Sequence, residues 1–212
     1  MDRFFHAWTS YCEEHTEAQS DLLHELERET YLKTLAPQML TGHLQGRFLA
    51  LLSRLVNPQQ ILEIGTFTGY GTLCLVEGLA EGGQLHTIEV NPEVKYIQDK
   101  YFAKAGVQDK ITQHQGDARD IIPTLRGSFD LVLIDAGKMN NAAYFDLVVD
   151  RINPGGLLLT DNVLWSGKVV TGEKDKATRT IAAFNRKVAD DPRVRSLMLP
   201  LRDGLTILQK IG

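Results

Sequence analysis

The sequence predicts an α/β fold with a doubly wound, mostly parallel sheet of seven strands, extra helices before the sheet and an antiparallel hairpin at its C-terminal end. Two observations predict it. From Gln60 onward, short runs of Val, Ile and Leu alternate with helical patterns, and near-continuous apolar strands of this kind form parallel sheets covered on both faces. Near the end of the chain, Arg202-Asp203-Gly204 separates two further strand-like runs, and Asp-Gly between such runs indicates a hairpin.

The elements follow in order. Apolar side chains recur at the helical spacing of three and four residues in DLLHELERETYLKTL and GRFLALLSRLV, with a turn at APQMLTGH between them. The parallel strand candidates are QILEIG, QLHTIEV, KITQHQG, FDLVLIDA and GGLLLTD. The two runs of the hairpin are VRSLMLPL and LTILQKI. We therefore expect one domain over 1–212, with a helical cap at 1–56 and a core at 57–212.

Composition narrows the function classes. The 212 residues carry a formal net charge of −4, so the chain has no general attraction for the phosphates of nucleic acid. Cys12 and Cys74 form no Cys-x-x-Cys or Cys/His ligand pattern, and we expect both to be buried thiols. The six histidines show no metal or triad spacing. No apolar stretch reaches the roughly 18 residues of a membrane span, so we expect a cytoplasmic protein.

A glycine loop follows the first strand candidate. In ILEIGTFTGYGTLCL the strand ends at Gly65, and Gly69 and Gly71 lie where the chain enters a helix, so the backbone can approach a ligand without Cβ interference. The spacing Gly-x-x-x-Gly-x-Gly and the acid at Glu63 differ from the Gly-x-Gly-x-x-Gly fingerprint of dinucleotide sites. Glu89 ends the next strand, where a carboxylate can accept hydrogen bonds from both hydroxyls of a ribose.

The same edge gains another turn at Gly116-Asp117-Ala118, after the third strand. An edge rich in carboxylates suits a sulfonium cation better than a pyrophosphate, because opposite charges attract. On these residues the chain resembles the Rossmann-like class I methyltransferases, in which a Glu-x-Gly-x-x-x-Gly loop precedes an acidic end of the second strand. The resemblance implies S-adenosylmethionine as the methyl donor.

Acidic side chains end two more strand candidates: Asp135 in LIDAGKM, and Asp161-Asn162 in LLLTDNVLW. One such acid alone is typical of a helix cap. In a doubly wound sheet with methyltransferase strand order, however, these two strands are neighbours whose carboxyl ends face the cofactor crevice. Two carboxylates and an amide carbonyl are hard oxygen donors that suit Mg²⁺ and tolerate Mn²⁺ or Ca²⁺. We therefore predict a metal site at Asp135, Asp161 and Asn162.

Lys138 follows Asp135 by three residues, close enough to reach an acceptor hydroxyl. In a partly dehydrated pocket beside a divalent cation, a lysine can act as a general base near neutral pH. Lys138 and Asp135 are therefore the predicted catalytic residues.

A closer resemblance covers roughly Met39 to the C-terminus. The motifs MLTGHLQGRFL, EIGTFTGYG, HTIEVNPE, GDARDIIP, FDLVLIDAGK, DNVLWSGKVV and DPRVRSLMLPLRDGLTI resemble the cation-dependent O-methyltransferases, the family of catechol and caffeoyl-CoA O-methyltransferases. The resemblance implies metal-dependent methylation of a hydroxyl on a catechol-type small molecule. It places Lys138 and Trp165 against the acceptor. The implied cofactor positions are Met39, Glu63, Gly65, Thr66, Phe67, Tyr70, Gly71, Glu89, Val90, Gly116, Asp117, Ala118 and Asp135.

Two positions depart from or only approach the family pattern. The family usually has a serine where this chain has Gly71, so the methionine carboxylate of the cofactor would rely on backbone amides there. Arg179 is the nearest match to an arginine associated with CoA phosphates in the plant relatives. Helical surface arginines are common, so we infer no CoA thioester substrate from it.

The sequence leaves other functions open. Within the same family, a tRNA 5-hydroxyuridine O-methyltransferase is the first alternative. An NAD-dependent oxidoreductase is a distant one, because the glycine spacing is wrong. A non-catalytic module that retains the fold is opposed by the grouped charges of Asp135, Lys138 and Asp161. We expect a homodimer, and the N-terminal helices fit either a lid or a dimer interface.

Overall fold

The computed structural model describes the backbone of residues 3–212 and the side chains of residues 7–212. Its helices are α1 (Arg3–Glu14), α2 (Asp21–Lys33), α3 (His43–Val56), α4 (Tyr70–Val76), α5 (Lys95–Lys104), α6 (Ala118–Ile121), α7 (Asn141–Val148), α8 (Lys168–Thr171) and α9 (Lys176–Ala189). Its strands are β1 (Gln60–Ile64), β2 (Gln84–Glu89), β3 (Ile111–Gln115), β4 (Phe129–Ile134), β5 (Ile152–Asp161), β6 (Val194–Leu199) and β7 (Leu205–Lys210).

The strands form one sheet in the order β3-β2-β1-β4-β5-β7-β6. β1 to β5 pair in parallel, and β7 lies antiparallel between β5 and β6. The order reverses direction between β1 and β4, which is the switch point at which doubly wound sheets bind ligands. The predicted mostly parallel seven-stranded sheet with its C-terminal hairpin is confirmed.

The N-terminal helices have the local signals expected for them. The hydroxyl of Ser20 caps α2 by accepting a hydrogen bond from Leu23 N at 3.3 Å. α2 ends two residues before its apolar pattern does, because Thr34 is already extended. The prediction that both cysteines are buried is wrong for Cys12, which is exposed. It lies in α1, which packs mainly against α3 and leaves Trp8 67% exposed.

Two apolar cores cover the faces of the sheet. Side chains alternate along a strand, so consecutive residues Ile61 and Leu62 belong to opposite cores. The first core joins the sheet to α2, α3, α4 and α5 and includes Leu26, Leu49, Leu75 and Tyr101. The second joins it to α6, α7 and α9 and includes Phe129, Val132, Phe145 and Phe184. Within the described residues, no helix has the length and apolarity needed to cross a membrane.

The register of the central strands brings the ends of β1, β4 and β5 together. Ile64 pairs with Ile134, and Ile134 pairs with Thr160, so the residues that follow, Asp135 and Asp161, lie side by side. The Asp135 amide donates to the carbonyl oxygen of Ile64 at 2.8 Å, which ties the acidic strand end to the glycine loop. The neighbouring strands predicted for the two acidic clusters are therefore confirmed.

Candidate functional site

A cavity of about 770 Å³ opens at the carboxyl ends of β1, β2, β4 and β5. Of the residues predicted for the site, those that line the cavity are Met39, Gly65, Thr66, Phe67, Tyr70, Glu89, Val90, Gly116, Asp117, Ala118, Asp135, Lys138, Asp161, Asn162 and Trp165. Glu63 and Gly71 are not in its lining. The cofactor, metal and acceptor roles of these residues stay predictions, but the fold gathers nearly all of them around one space.

Glu89 anchors the glycine loop from the neighbouring strand. One carboxylate oxygen accepts the Phe67 amide at 2.7 Å, and the other accepts the Asn91 amide at 2.8 Å. The carbonyl of Phe67 in turn accepts a hydrogen bond from Gln98 Nε2 at 2.6 Å. These contacts hold Phe67 in a left-handed backbone conformation with φ of 48°. A carboxylate oxygen can accept a second hydrogen bond, so Glu89 can still bind hydroxyl groups in the cavity.

Glu63 lies behind the cavity wall and is 1% exposed. Its Oε2 accepts hydrogen bonds from the hydroxyls of Thr72 and Thr87, both at 2.5 Å. Thr87 also contacts the hydroxyl of Thr66 in the glycine loop at 2.5 Å. Burial raises the pKa of Glu63 to about 7, against the two threonine hydrogen bonds, which lower it. Glu63 therefore acts on the loop from within the protein.

The glycines of the loop make room for protein atoms as well as for a ligand. A Cβ on Gly65, whose φ is 103°, would lie 2.2 Å from the carbonyl oxygen of Asp135. A Cβ on Gly71 would lie 3.0 Å from Glu63 Oε1 and 3.2 Å from Thr41 Oγ1. Gly65 thus permits the close approach of the ends of β1 and β4, and a serine in place of Gly71 would displace its neighbours. From the sequence we expected these glycines only to let the backbone approach a ligand, and their role in packing was not predicted.

The acidic end of the cavity combines carboxylates and a cation. Asp161 is 2% exposed, and the side chain of Asp135 is 17% exposed. Lys138 Nζ donates to Asp135 Oδ1 at 2.6 Å. Burial raises the pKa of Asp135, Lys138 lowers it and the nearby Asp161 carboxylate raises it further. The backbone amide of Asn162 donates to Asp161 Oδ1 at 2.7 Å, and Asn162 has a left-handed φ of 59°.

The side chains at this end suit a hard cation by chemistry. Among the described residues, no three His, Cys, Asp or Glu side chains are grouped as metal ligands. The predicted set does not need three such side chains, because it has two carboxylates and its third oxygen would come from the side-chain amide of Asn162. Asp161 is buried, Asp135 is largely enclosed, and the Asp161 carboxylate raises the pKa of Asp135. A divalent cation is suited to neutralise two carboxylates placed so close together.

Asp117 has a structural partner at the opposite end of the cavity. Its side chain accepts a hydrogen bond from the Arg119 amide at 2.8 Å and caps α6. The Arg119 guanidinium holds the pKa of Asp117 at about 2. An ionised carboxylate therefore lines the cavity beside Gly116 and Ala118.

Several cavity residues were missed from the sequence. Arg202 and Asp203, which served only as a hairpin signal, line the cavity together with Thr41 and Tyr144. Arg202 Nη1 donates to the carbonyl oxygen of Thr41 at 2.5 Å and joins residues far apart in the chain. The signal that could have found them is the hairpin position, because the turn before β7 lies at the same edge as the end of β5.

Comparisons with known proteins agree with this geometry. The chain matches the family model described as O-methyltransferase over residues 13–211. It is 33% identical over 186 residues to caffeoyl-CoA O-methyltransferase 1 of Eucalyptus globulus, covering 82% of this chain and 76% of the relative.

Solved structures extend the likeness to the whole fold. The SAH-bound methyltransferase PaMTH1 of Podospora anserina superposes with a TM-score of 0.91 at 27% identity, over 100% of this chain and 97% of that one. The O-methyltransferase TomG of Streptomyces achromogenes, in complex with SAM, superposes with a TM-score of 0.87 at 30% identity, over 96% and 95% of the two chains.

Proposed function

The chain belongs to the O-methyltransferase family, and from that membership we propose that it transfers a methyl group from S-adenosylmethionine to one hydroxyl of a catechol-type small molecule, with the help of a divalent cation. The observation that carries the proposal is a single cavity bounded by the glycine loop, by Glu89 and by the acidic ends of β4 and β5. Donor and acceptor can therefore lie in contact, as a direct transfer requires.

The donor end is supported by relatives and by charge. TomG was solved in complex with SAM and PaMTH1 with SAH bound. In this chain Glu89 and Asp117 line the cavity at the carboxyl ends of the strands, and both offer carboxylate oxygens to ligand hydroxyls. Their negative charge also favours a sulfonium over a pyrophosphate. An NAD-dependent oxidoreductase gains no support, because the family match and the glycine spacing both oppose it.

The acceptor end is supported by its oxygen donors. Asp135, Asp161 and Asn162 would hold a Mg²⁺ ion, or Mn²⁺ or Ca²⁺ in its place. Such an ion, when bound, supplies Lewis-acid stabilisation of an acceptor phenolate. Vicinal hydroxyls are the natural acceptor, and the caffeoyl group in the name of the Eucalyptus relative carries two adjacent aromatic hydroxyls. Arg179 is exposed and donates to the backbone of Lys174 outside the cavity, so a CoA thioester gains no support from it.

Lys138 is the proposed proton acceptor. Its Nζ lies at the cavity wall and binds Asp135 Oδ1, so its orientation is set by that carboxylate. In this ion pair Nζ is an ammonium group, so it must first release a proton to solvent. The neutral amine can then take the proton of the acceptor hydroxyl. Trp165, which lines the same end, would pack against the aromatic ring of the acceptor.

The test is a direct assay. Purified protein with S-adenosylmethionine, Mg²⁺ and caffeate or 3,4-dihydroxybenzoate should give a monomethylated product by mass spectrometry, and EDTA should abolish it. Guaiacol, whose second oxygen is already methylated, should not react. Failure of every vicinal diphenol with Mg²⁺, Mn²⁺ and Ca²⁺ would refute the acceptor assignment, and methylation of tRNA in the same screen would replace it with the RNA-modifying alternative.

A further inference from the structure

Backbone strain concentrates in two loops at the acceptor end of the cavity. The described residues include six non-glycine positions with a left-handed φ, a conformation that is uncommon for such residues and strained for a bulky one such as Trp165. Three belong to the loop after β5, and one to the turn between β6 and β7. These four are Asn162, Trp165, Ser166 and Arg202.

The turn between β6 and β7 supplies the contacts that hold the strained loop. The carbonyl of Asp203 accepts the Leu164 amide at 2.8 Å, and its carboxylate Oδ1 accepts the Ser166 amide at 2.5 Å. The next carbonyl, that of Gly204, accepts the Val163 amide at 3.2 Å. A Cβ on Gly204 would lie 2.5 Å from Leu164 Cγ, so the turn and the loop are in close contact.

Asp203 therefore binds the amides on both sides of Trp165. Its backbone fixes the residue before the tryptophan, and its side chain fixes the residue after it. Ser166 is exposed, and its amide donates only to Asp203 among the hydrogen bonds of the described residues. Without the carboxylate oxygen, this backbone would keep only the loop's own turn hydrogen bonds, from the Gly167 and Lys168 amides to the carbonyls of Leu164 and Trp165. The backbone at Trp165 and Ser166 would then be less restrained, and the indole ring would gain freedom to move.

We propose that Asp203 is a positioning residue, which holds Trp165 and the loop carrying Asn162 in the conformation that receives the acceptor. The assignment rests on the proposed function only in placing the acceptor against Trp165. The alternative is that Asp203 acts through its negative charge on the groups of the cavity, because it lines the cavity near Asp161 and Lys138. The two roles require different properties of the side chain: an oxygen at a fixed reach, or a charge.

A matched pair of variants separates the roles. Asp203→Asn keeps an acceptor oxygen at the same reach and removes the charge, whereas Asp203→Glu keeps the charge and moves the oxygen by one methylene. Each is made in a Trp8→Phe background, which leaves Trp165 as the single tryptophan, because the chain has two. The readouts are acrylamide quenching of Trp165 fluorescence, KM and kcat for 3,4-dihydroxybenzoate, and the affinity for S-adenosylhomocysteine.

If Asp203 positions the loop, the Asn variant matches the parent, and the Glu variant shows stronger quenching and a KM for the diphenol raised by about tenfold, the scale of one lost hydrogen bond. Affinity for S-adenosylhomocysteine stays unchanged in both. A normal Glu variant with an impaired Asn variant, or equal quenching in all three proteins, overturns the proposal. If the Glu variant does not fold, Asp203→Ser supplies a displaced oxygen and is held to the same outcomes. If no diphenol is methylated, the quenching comparison still decides the role of Asp203, separately from the proposed function.

Discussion

Replacing Glu63 with glutamine should remove a specific pH dependence from the stability of the protein. Glu63 is fully enclosed, and burial raises the pKa of its carboxyl from 4.5 in the unfolded chain to about 7. Below the unfolded value the group is protonated in both states and costs nothing. As the pH rises, the unfolded chain releases the proton first, so the free energy of unfolding falls until the folded carboxyl also ionises near pH 7.

The size of the effect follows from that difference in pKa. A rise from 4.5 to about 7 corresponds to about 3 kcal/mol of stability lost between those pH values. Glutamine is nearly isosteric, and its carbonyl oxygen can accept the hydrogen bonds of Thr72 and Thr87, which both end on one carboxylate oxygen. It does not ionise. The Glu63→Gln variant should therefore gain stability relative to the parent as the pH rises.

Urea denaturation of both proteins at several values between about pH 5 and about pH 8 measures the effect. Subtracting the two free energies of unfolding at each pH cancels the contributions of titrating groups that do not interact with Glu63. The difference should grow in favour of glutamine by about 2.5 kcal/mol over this range, because part of the effect is already present at about pH 5, and it should level off above the folded pKa. A difference that stays flat with pH would show that Glu63 is ionised in the folded protein throughout and would refute the burial argument.

Three further predictions concern the site. Asp161→Ala should lower metal-dependent turnover by at least about 100-fold while leaving the affinity for S-adenosylhomocysteine intact by calorimetry; equal loss of both would mean that the metal is misplaced. Lys138→Met should lower kcat by about 100-fold or more, as expected for loss of a general base, whereas the exposed control Lys110→Met should not. A fully active Lys138 variant would exclude it as the base. Glu89→Gln should weaken binding of S-adenosylhomocysteine by about tenfold without changing the Mg²⁺ dependence of turnover; unchanged binding would remove Glu89 from the cofactor site.

The fold was predictable because its signals are local and repeated. The apolar runs ending at Gly65, Glu89, Asp135 and Asp161 each matched a strand, and Asp203-Gly204 marked the hairpin. The gathering of these strand ends around one cavity was predictable for a related reason, because carboxyl ends of parallel strands meet at one edge. Once the strand order is known, it follows that residues from separate segments line one cavity.

What the sequence could not show depends on contacts between distant segments. Nothing near Thr41 indicates that its carbonyl receives Arg202, and a turn signal at Asp203 does not tell which amide its side chain will bind. The same holds for His86 and His114, which have no metal or triad spacing. His86 Nδ1 on β2 lies 3.1 Å from His114 Nε2 on β3. The burial of Glu63 could not be predicted either. We expected Glu63 to line the cofactor, but it lies behind the loop, where burial raises its pKa.

The close contact at Gly65 explains why donor and acceptor functions cannot vary independently in this chain. The glycine loop and Asp135 are in van der Waals contact through Gly65, so any side chain there would push the cofactor loop away from the acidic strand end. Methyl transfer requires the two reacting atoms within about 3.5 Å of each other, and a displacement of about 1 Å can lower the rate about 100-fold. Substitution of Gly65 would therefore impair turnover more than it impairs the binding of either partner. We expect the strained loop held by Asp203 to meet the same requirement on the acceptor side, because its proposed function is to limit the positions available to the acceptor ring.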